Sequence, residues 1–173
     1  MDRKQMRMKG RDYSLRGDYF ITIVTQDRIC RFGEIVNGEM QLSCSGIMVR
    51  DCYESLQNTF GDVCCLDYVI MPNHIHFIIR LLSDNNSLYE IIRQFKSRTT
   101  VEYIKGVNQK GWPRFDLRLW QKGYYDHVIR NQRAFDYNRN YIFVNPSRWV
   151  NDRINPLCCS NSDDINGTIK SFY

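Results

Sequence analysis

Residues 64–82 read Cys-Cys-Leu-Asp-Tyr-Val-Ile-Met-Pro-Asn-His-Ile-His-Phe-Ile-Ile-Arg-Leu-Leu, two apolar runs joined by a Pro-Asn turn. His74 and His76 follow the turn at positions i and i+2. Residues at this spacing project from the same face of a strand, so a strand that begins at His74 places both imidazoles together. Ile75 and Phe77 then pack on the other face. Two neutral imidazoles side by side form half of a divalent-metal site, and a pair of hydrogen-bonded histidines within a sheet is the alternative.

Length, charge and cysteine usage limit the class of protein. A chain of 173 residues favours one domain with a substantial core. The net charge of +5 fits a protein that binds a polyanion but does not require one. The seven cysteines are odd in number and form no Cys-x-x-Cys pair, so we expect reduced thiols in a cytoplasmic protein. The first 16 residues lack the apolar core of a signal peptide, and no run reaches the ~18 apolar residues of a membrane span.

The order of the remaining elements predicts the fold. Local patterns indicate a strand at 19–25, a hairpin around Asn37-Gly38, a helix at 47–60, a helix at 88–104 capped by Asn86 or Ser87, a last strand within 114–130, and a helix at 131–145 closed by Pro146. The order β, α, β-β, α, β, α predicts a ferredoxin-like α+β sandwich. In that fold helices cover one face of an antiparallel sheet, and the other face can hold a site. Residues 1–173 form a single domain in this interpretation, with a basic lead-in at 1–18 and a polar tail at 150–173 that contributes little to the core.

Three motifs in order resemble a known family. Tyr-Val-Ile-Met-Pro-Asn-His-Ile-His at 68–76 looks like the His-hydrophobe-His signature of the HUH-class single-tyrosine transposases. Trp-Gln-Lys-Gly-Tyr-Tyr-Asp-His-Val-Ile-Arg-Asn at 120–131 and Tyr-Ile-Phe-Val-Asn-Pro at 141–146 follow at appropriate distances. Together they resemble the REP-associated tyrosine transposases, and the resemblance covers about residues 19–148.

The resemblance implies roles for matching positions only. His74 and His76 match the metal-binding histidines, and Tyr141 matches the nucleophilic tyrosine on a catalytic helix near the C-terminus. Asn145 matches a polar residue that can complete the metal site. The implied activity is cleavage and rejoining of single-stranded DNA next to a hairpin, through a 5′-phosphotyrosine intermediate and with Mg²⁺ or Mn²⁺ as cofactor.

The residue chemistry agrees with these roles but leaves alternatives. On a helix, Tyr141 and Asn145 lie on one face, ~6 Å apart along the axis. One helix can therefore bring nucleophile and ligand to the same metal. Three other tyrosines compete as the nucleophile: Tyr124, Tyr125 and Tyr137. Asn145 could instead cap the helix, and His127 is the rival third ligand.

Six residues are candidate DNA contacts: Arg80, Lys96, Arg98, Trp120, His127 and Arg130. Cations on a helix surface are more commonly just solvated, and a tryptophan at a strand end commonly belongs to the core. The expected partner is single-stranded or hairpin DNA, bound by a monomer in preference to a homodimer. A hairpin-binding protein that no longer cleaves is one alternative function. An RNA-binding module is another, and it would carry aromatic residues where the central strand has histidines.

Overall fold

A computed structural model of the chain describes residues 16–158. Most of the predicted basic lead-in, and the polar tail from residue 159 onward, lie outside this range. The strands are β1 Gly17–Val24, β2 Gly33–Val36, β3 Glu39–Leu42, β4 Val63–Met71, β5 His74–Leu81 and β6 Tyr125–Ile129. The helices are α1 Cys44–Glu54, α2 Leu56–Thr59, α3 Leu88–Lys110 and α4 Gln132–Val144, with 3₁₀ turns at Gln26–Arg28 and Pro146–Asn151. Within residues 16–158, none of the helices combines the length and apolar character needed to cross a bilayer.

Four strands form an antiparallel sheet in the order β4-β5-β1-β6. Chain order and sheet order together are those of a ferredoxin-like fold, so the predicted α+β class is confirmed. The β2–β3 hairpin forms a separate two-stranded sheet. Its turn residues Asn37 and Gly38 have φ of 52° and 81°, which a tight two-residue hairpin turn requires.

Helices α1 and α3 cover one face of the sheet. The large side chains beneath them come from alternate positions of the two central strands, namely Tyr19, Ile21 and Ile23 of β1 and Ile75, Phe77 and Ile79 of β5. Burial of each contributes about 1.5–3 kcal/mol to folding. Helix α3 begins where the Ser87 side chain accepts a hydrogen bond from the N–H of Glu90, as a predicted cap should.

Helix α4 packs on the opposite face, which corrects the prediction that the helices share one face. Its Ile142 joins an apolar cluster with Phe20, Ile78 and Ile129 of the sheet. The central strands are therefore apolar on both faces, and each face needs a covering element. Helix α4 covers the histidine side of the sheet, so this side is not left open.

The chain does not leave the helical region before Pro146, contrary to prediction. Asn145 has φ −57° and ψ −44°, and the 3₁₀ turn follows at once. Proline is tolerated in the first turn of a helical segment, where its missing N–H needs no partner. The continued turn keeps the chain beside the sheet, and Asn155 becomes buried, 5% exposed. The beginning of the expected polar tail is thus part of the packed structure.

Candidate active site

His74 and His76 project from the same face of β5, as predicted, opposite Val24 and Thr22 of β1. Both imidazoles are buried, and their Nε2 atoms lie 3.0 Å apart. Two adjacent ligands of an octahedral cation with bonds of ~2.1 Å are separated by ~3.0 Å. The pair therefore has the separation needed to hold one metal ion.

Asn73 fixes the tautomer of His74. Its amide nitrogen donates to the carbonyls of Arg28 and Ile154, at 2.8 and 3.0 Å, so the amide oxygen faces Nδ1 of His74, 2.8 Å away. Because an amide oxygen can only accept, Nδ1 carries the proton and Nε2 keeps its lone pair. The hydroxyl of Thr22 bonds Nδ1 of His76 at 2.7 Å and can act as donor or acceptor there.

Burial keeps both imidazoles neutral. Desolvation lowers the pKa of His74 well below its usual value, and the neighbouring His76 lowers it further. Desolvation lowers the pKa of His76 to about 3. A neutral imidazole offers the lone pair that a metal ion binds, so the site is prepared for a cation at neutral pH.

Tyr141 is brought to the histidines by α4. Its ring centroid lies 5.2 Å from that of His76 and 5.8 Å from that of Phe20, edge-on in both cases. The competing tyrosines are placed differently. Tyr137 and Tyr125 are 69% and 65% exposed, and Tyr124 packs against the core on the far face of the sheet.

Asn145 has the properties expected of a ligand. Tyr141, four residues earlier, contacts His76, and the ring of Trp149, four residues later, lies 6.0 Å from that of His74. Asn145 keeps helical backbone angles directly after α4, so it lies on the same helical face as Tyr141, the face turned toward the histidines. It is 4% exposed, and within residues 16–158 its Oδ1 has no hydrogen-bond partner. A buried carbonyl oxygen without a donor costs about 1–3 kcal/mol, and such an oxygen is a good ligand for a hard cation.

Asp152 is a site residue that sequence reasoning missed. Its Oδ2 lies 3.8 Å from Nε2 of His74, and its carboxylate and the two imidazoles place one ligand atom each within 4.8 Å of one another. The side chain is only 11% exposed. No local signal marks Asp152, because it stands among polar residues past the last motif.

His127 lies on the same sheet face, but the ring of Phe20 separates it from the histidine pair. Phe20 stacks on His127 at 5.1 Å and on His76 at 5.4 Å. Burial lowers the pKa of His127, and a side-chain hydrogen bond that its imidazole donates to Asn138 opposes that shift. His127 is thus placed to flank the site, and a role as third ligand is not favoured.

The other predicted DNA contacts are scattered. Arg80 pairs with Asp18, and one of its two hydrogen bonds is 2.7 Å long. Arg130 is exposed directly after β6 and lines one cavity together with Asp18. Arg98 is exposed on α3, in the helix layer on the face opposite the histidines. These three cations remain accessible.

Lys96 and Trp120 have structural partners instead. The ammonium of Lys96 donates to the carbonyls of Gln121, Lys122 and Gly123, and burial lowers its pKa to about 8. Trp120 is 3% exposed, and its Nε1 donates to the hydroxyl of Thr99. Contact with DNA would require both to leave these positions.

Comparison with known proteins agrees with this geometry. Residues 33–145 match the family model described as "Transposase IS200 like". An uncharacterized protein of Haemophilus influenzae is 32% identical over 166 residues, covering 88% of this chain and 92% of that protein. A REP-associated tyrosine transposase of Escherichia coli is 26% identical over 85 residues, covering 48% of this chain and 45% of that protein.

A solved structure shares the fold. The REP-associated tyrosine transposase bound to a REP hairpin superposes with a TM-score of 0.56 at 18% identity, covering 95% of this chain and 94% of that one. The family match spans more than half of the chain and includes the His74-His76 pair, Tyr141 and Asn145. The resemblance carried by the three sequence motifs is confirmed: this chain belongs to the IS200-like transposase family.

Proposed function

We propose that this protein is a divalent-metal-dependent enzyme that cleaves and rejoins single-stranded DNA next to a hairpin, with Tyr141 as nucleophile. The observation that carries the proposal is the edge contact of the Tyr141 ring with His76, 5.2 Å between centroids. That contact brings a phenol to the pair of neutral imidazoles. The unpaired Oδ1 of Asn145 adds a third donor on the same side.

The proposed reaction transfers one DNA strand to Tyr141. The phenol oxygen of Tyr141 bonds to phosphorus and the bond from phosphorus to the 3′-oxygen breaks; the phenol proton passes to a base and the 3′-oxygen takes up a proton. The 5′-phosphotyrosine that results can be attacked by another 3′-hydroxyl, which reverses the reaction. When bound, Mg²⁺ or Mn²⁺ supplies Lewis-acid neutralisation of the phosphate charge. His74, His76 and Asn145 would hold that ion, and the fixed tautomer of His74 keeps its donor atom oriented.

Hairpin DNA is the substrate we propose. A relative of the same fold was solved bound to a REP hairpin. Arg80 and Arg130 are exposed cations that can contact phosphates, and Arg130 lines one cavity with Asp18, the partner of Arg80. The half-buried His127, stacked on Phe20, lies on the histidine face of the sheet. The enzyme is proposed to act as a monomer, because Tyr141 and His76 of one chain already meet. The described cysteines are free thiols, as expected in the cytoplasm, where we place the activity.

A trapping experiment tests the proposal. A hairpin oligonucleotide with a single-stranded flank, labelled at its 3′ end, is incubated with the protein and Mn²⁺ and run on a denaturing gel. We expect a labelled covalent adduct that disappears with chelator and in Tyr141→Phe. Binding of the hairpin without an adduct would identify a protein that recognises but does not cut, and preference for the same sequence as RNA would identify the RNA-binding class.

A further inference from the structure

Asp152 is held in place by its own turn. Its Oδ1 accepts a hydrogen bond from the N–H of Ile154 at 2.8 Å, while its Oδ2 lies 3.8 Å from Nε2 of His74. One carboxylate oxygen is thus committed to the backbone and the other is directed at an imidazole. The side chain is 11% exposed, which is unusual for an aspartate whose charge has no partner.

The segment that carries Asp152 is anchored on both sides. Asn155 donates from its side chain to the carbonyl of Trp149, at 2.9 Å, and from its backbone to the carbonyl of Asp152, at 2.9 Å. The amide of Asn73 reaches the carbonyl of Ile154 from the loop before β5, at 3.0 Å. The carboxylate position is therefore set by packing and by hydrogen bonds and not by a flexible surface loop.

Within the described residues, the negative charge of the Asp152 carboxylate is not fully compensated. The facing imidazoles are neutral and bring no positive charge. Arg28 attracts Asp152 from a distance, but its Nη1 donates to the carbonyl of Arg153. A largely buried carboxylate needs a counter-charge, and a cation held by the Nε2 atoms of His74 and His76 would supply one beside Oδ2.

We propose that Oδ2 of Asp152 is a ligand of the same divalent cation that His74 and His76 bind. Around an octahedral ion with bonds of ~2.1 Å, donor separations are ~3.0 Å for adjacent ligands and ~4.2 Å for opposite ones. The 3.8 Å from Oδ2 to Nε2 of His74 lies between these values, so a shift below ~1 Å completes the contact.

The donor set then consists of two imidazoles, one carboxylate and the amide oxygen of Asn145. Imidazole ligands favour transition metals, and the carboxylate suits a hard divalent ion, so Mn²⁺ fits better than Mg²⁺. The inference rests on the proposed function only in taking the histidines as metal ligands. It makes the metal site depend on a residue beyond the tyrosine helix.

The test is a Mn²⁺ titration followed by electron paramagnetic resonance. Asp152→Asn should bind Mn²⁺ at least about tenfold more weakly than the unaltered protein. Asp51→Asn is the matched control: it makes the same chemical change at a carboxylate that is 60% exposed on α1 and paired with Arg50, and its Mn²⁺ affinity should not change. Equal Mn²⁺ affinity in Asp152→Asn and the unaltered protein would overturn the inference, as would an unaltered protein that binds no Mn²⁺.

Thermal unfolding separates a ligand role from a structural one. Without metal, Asp152→Asn should be at least as stable as the unaltered protein, because an unpaired buried charge is removed. With Mn²⁺, the unaltered protein should gain the larger rise in Tm, since a ligand that binds more tightly stabilises the folded state more. A variant that is less stable without metal, yet gains the same rise with Mn²⁺, contradicts the inference.

Two further arms complete the test. If Asp152→Asn does not fold, Asp152→Glu is titrated with Mn²⁺ instead. The added methylene displaces the carboxylate, so a ligand role requires that the Mn²⁺ affinity change. An unchanged affinity in that variant overturns the inference. The adduct assay on Tyr141 is independent: loss of Mn²⁺ affinity in Asp152→Asn, with no DNA adduct in the unaltered protein, would support the ligand role and refute the proposed function.

Discussion

The side-chain oxygen of Asn73 accepts a hydrogen bond from Nδ1 of His74 over 2.8 Å, although the two residues are neighbours in sequence. The same amide donates to two carbonyls, one before β2 and one beyond α4. Asn73 therefore sets the tautomer of one imidazole and ties together the two segments that border the site. Substitutions can separate these roles, because one uses the oxygen and the other uses the nitrogen.

Asn73→Asp keeps an acceptor for His74 but cannot donate to the carbonyls of Arg28 and Ile154. We expect a loss of roughly 1–3 kcal/mol in the free energy of unfolding, with the Nδ1–H tautomer of His74 retained. Asn73→Ala loses the acceptor as well, so Mn²⁺ affinity should fall about 10–100-fold. Nitrogen NMR of the imidazoles measures the tautomer directly, and an unchanged Nδ1–H form of His74 in Asn73→Ala would contradict the assignment.

Tyr141→Phe should abolish the covalent DNA adduct while hairpin affinity stays within a few-fold, because only one oxygen is removed from a ring that still contacts His76. Tyr137→Phe is the matched control on the same helix, and its adduct yield should be normal because that side chain is 69% exposed. The measurement is adduct yield on a denaturing gel, followed by peptide mapping. An adduct mapped to Tyr137, Tyr124 or Tyr125 would refute the choice of nucleophile.

Arg130→Ala should weaken hairpin binding and reduce the slope of log affinity against log salt by about one, as expected when one phosphate contact is lost. Arg98→Ala removes the same charge from an exposed position on α3, on the other face of the sheet, and should leave the slope unchanged. Fluorescence anisotropy at several salt concentrations gives both slopes. Equal effects of the two substitutions would show that only net charge matters.

Trp120→Phe should destabilise the fold by roughly 1–3 kcal/mol, because it removes buried ring atoms and the hydrogen bond from Nε1 to Thr99. Its hairpin affinity should remain within about twofold once folding is corrected for, since the ring is 3% exposed and cannot stack on a base. Urea unfolding and anisotropy provide the two readouts. A large loss of affinity with unchanged stability would restore Trp120 as a DNA contact.

The metal-free protein should lose stability as pH falls below the ordinary histidine pKa of ~6.5. The pKa of His76 is lowered to about 3 in the folded state, so between these values the unfolded chain binds a proton that the folded chain does not. The free energy of unfolding should fall by up to ~1.4 kcal/mol per pH unit for each such histidine. Urea unfolding with chelator measures the slope, which should be shallower in His76→Gln; equal slopes would contradict the neutral buried state.

Local patterns in the sequence determined much of this fold. Alternation along residues 74–82 placed both histidines on one strand face, and the structure has them there. The Ser87 cap and the Asn37-Gly38 turn were predicted because each depends on the chemistry of a few adjacent residues. Tyr141 and Asn145 were assigned because the motif Tyr-Ile-Phe-Val-Asn-Pro resembles that of the REP-associated tyrosine transposases. The strand face, the cap and the turn follow from local spacing, which a sequence contains in full.

Tertiary structure decided the features that depend on distant parts of the chain. Spacing within α4 does not reveal which face of the sheet it covers; that follows from Phe20 and Ile78 being apolar beneath it. Trp120 and Lys96 looked available in sequence, but their partners lie on other segments. Asp152 reaches His74 because it follows the 3₁₀ turn after Asn145 in a segment that Asn73, the neighbour of His74, holds through the carbonyl of Ile154. Long-range packing brings such groups together, and no local periodicity encodes it.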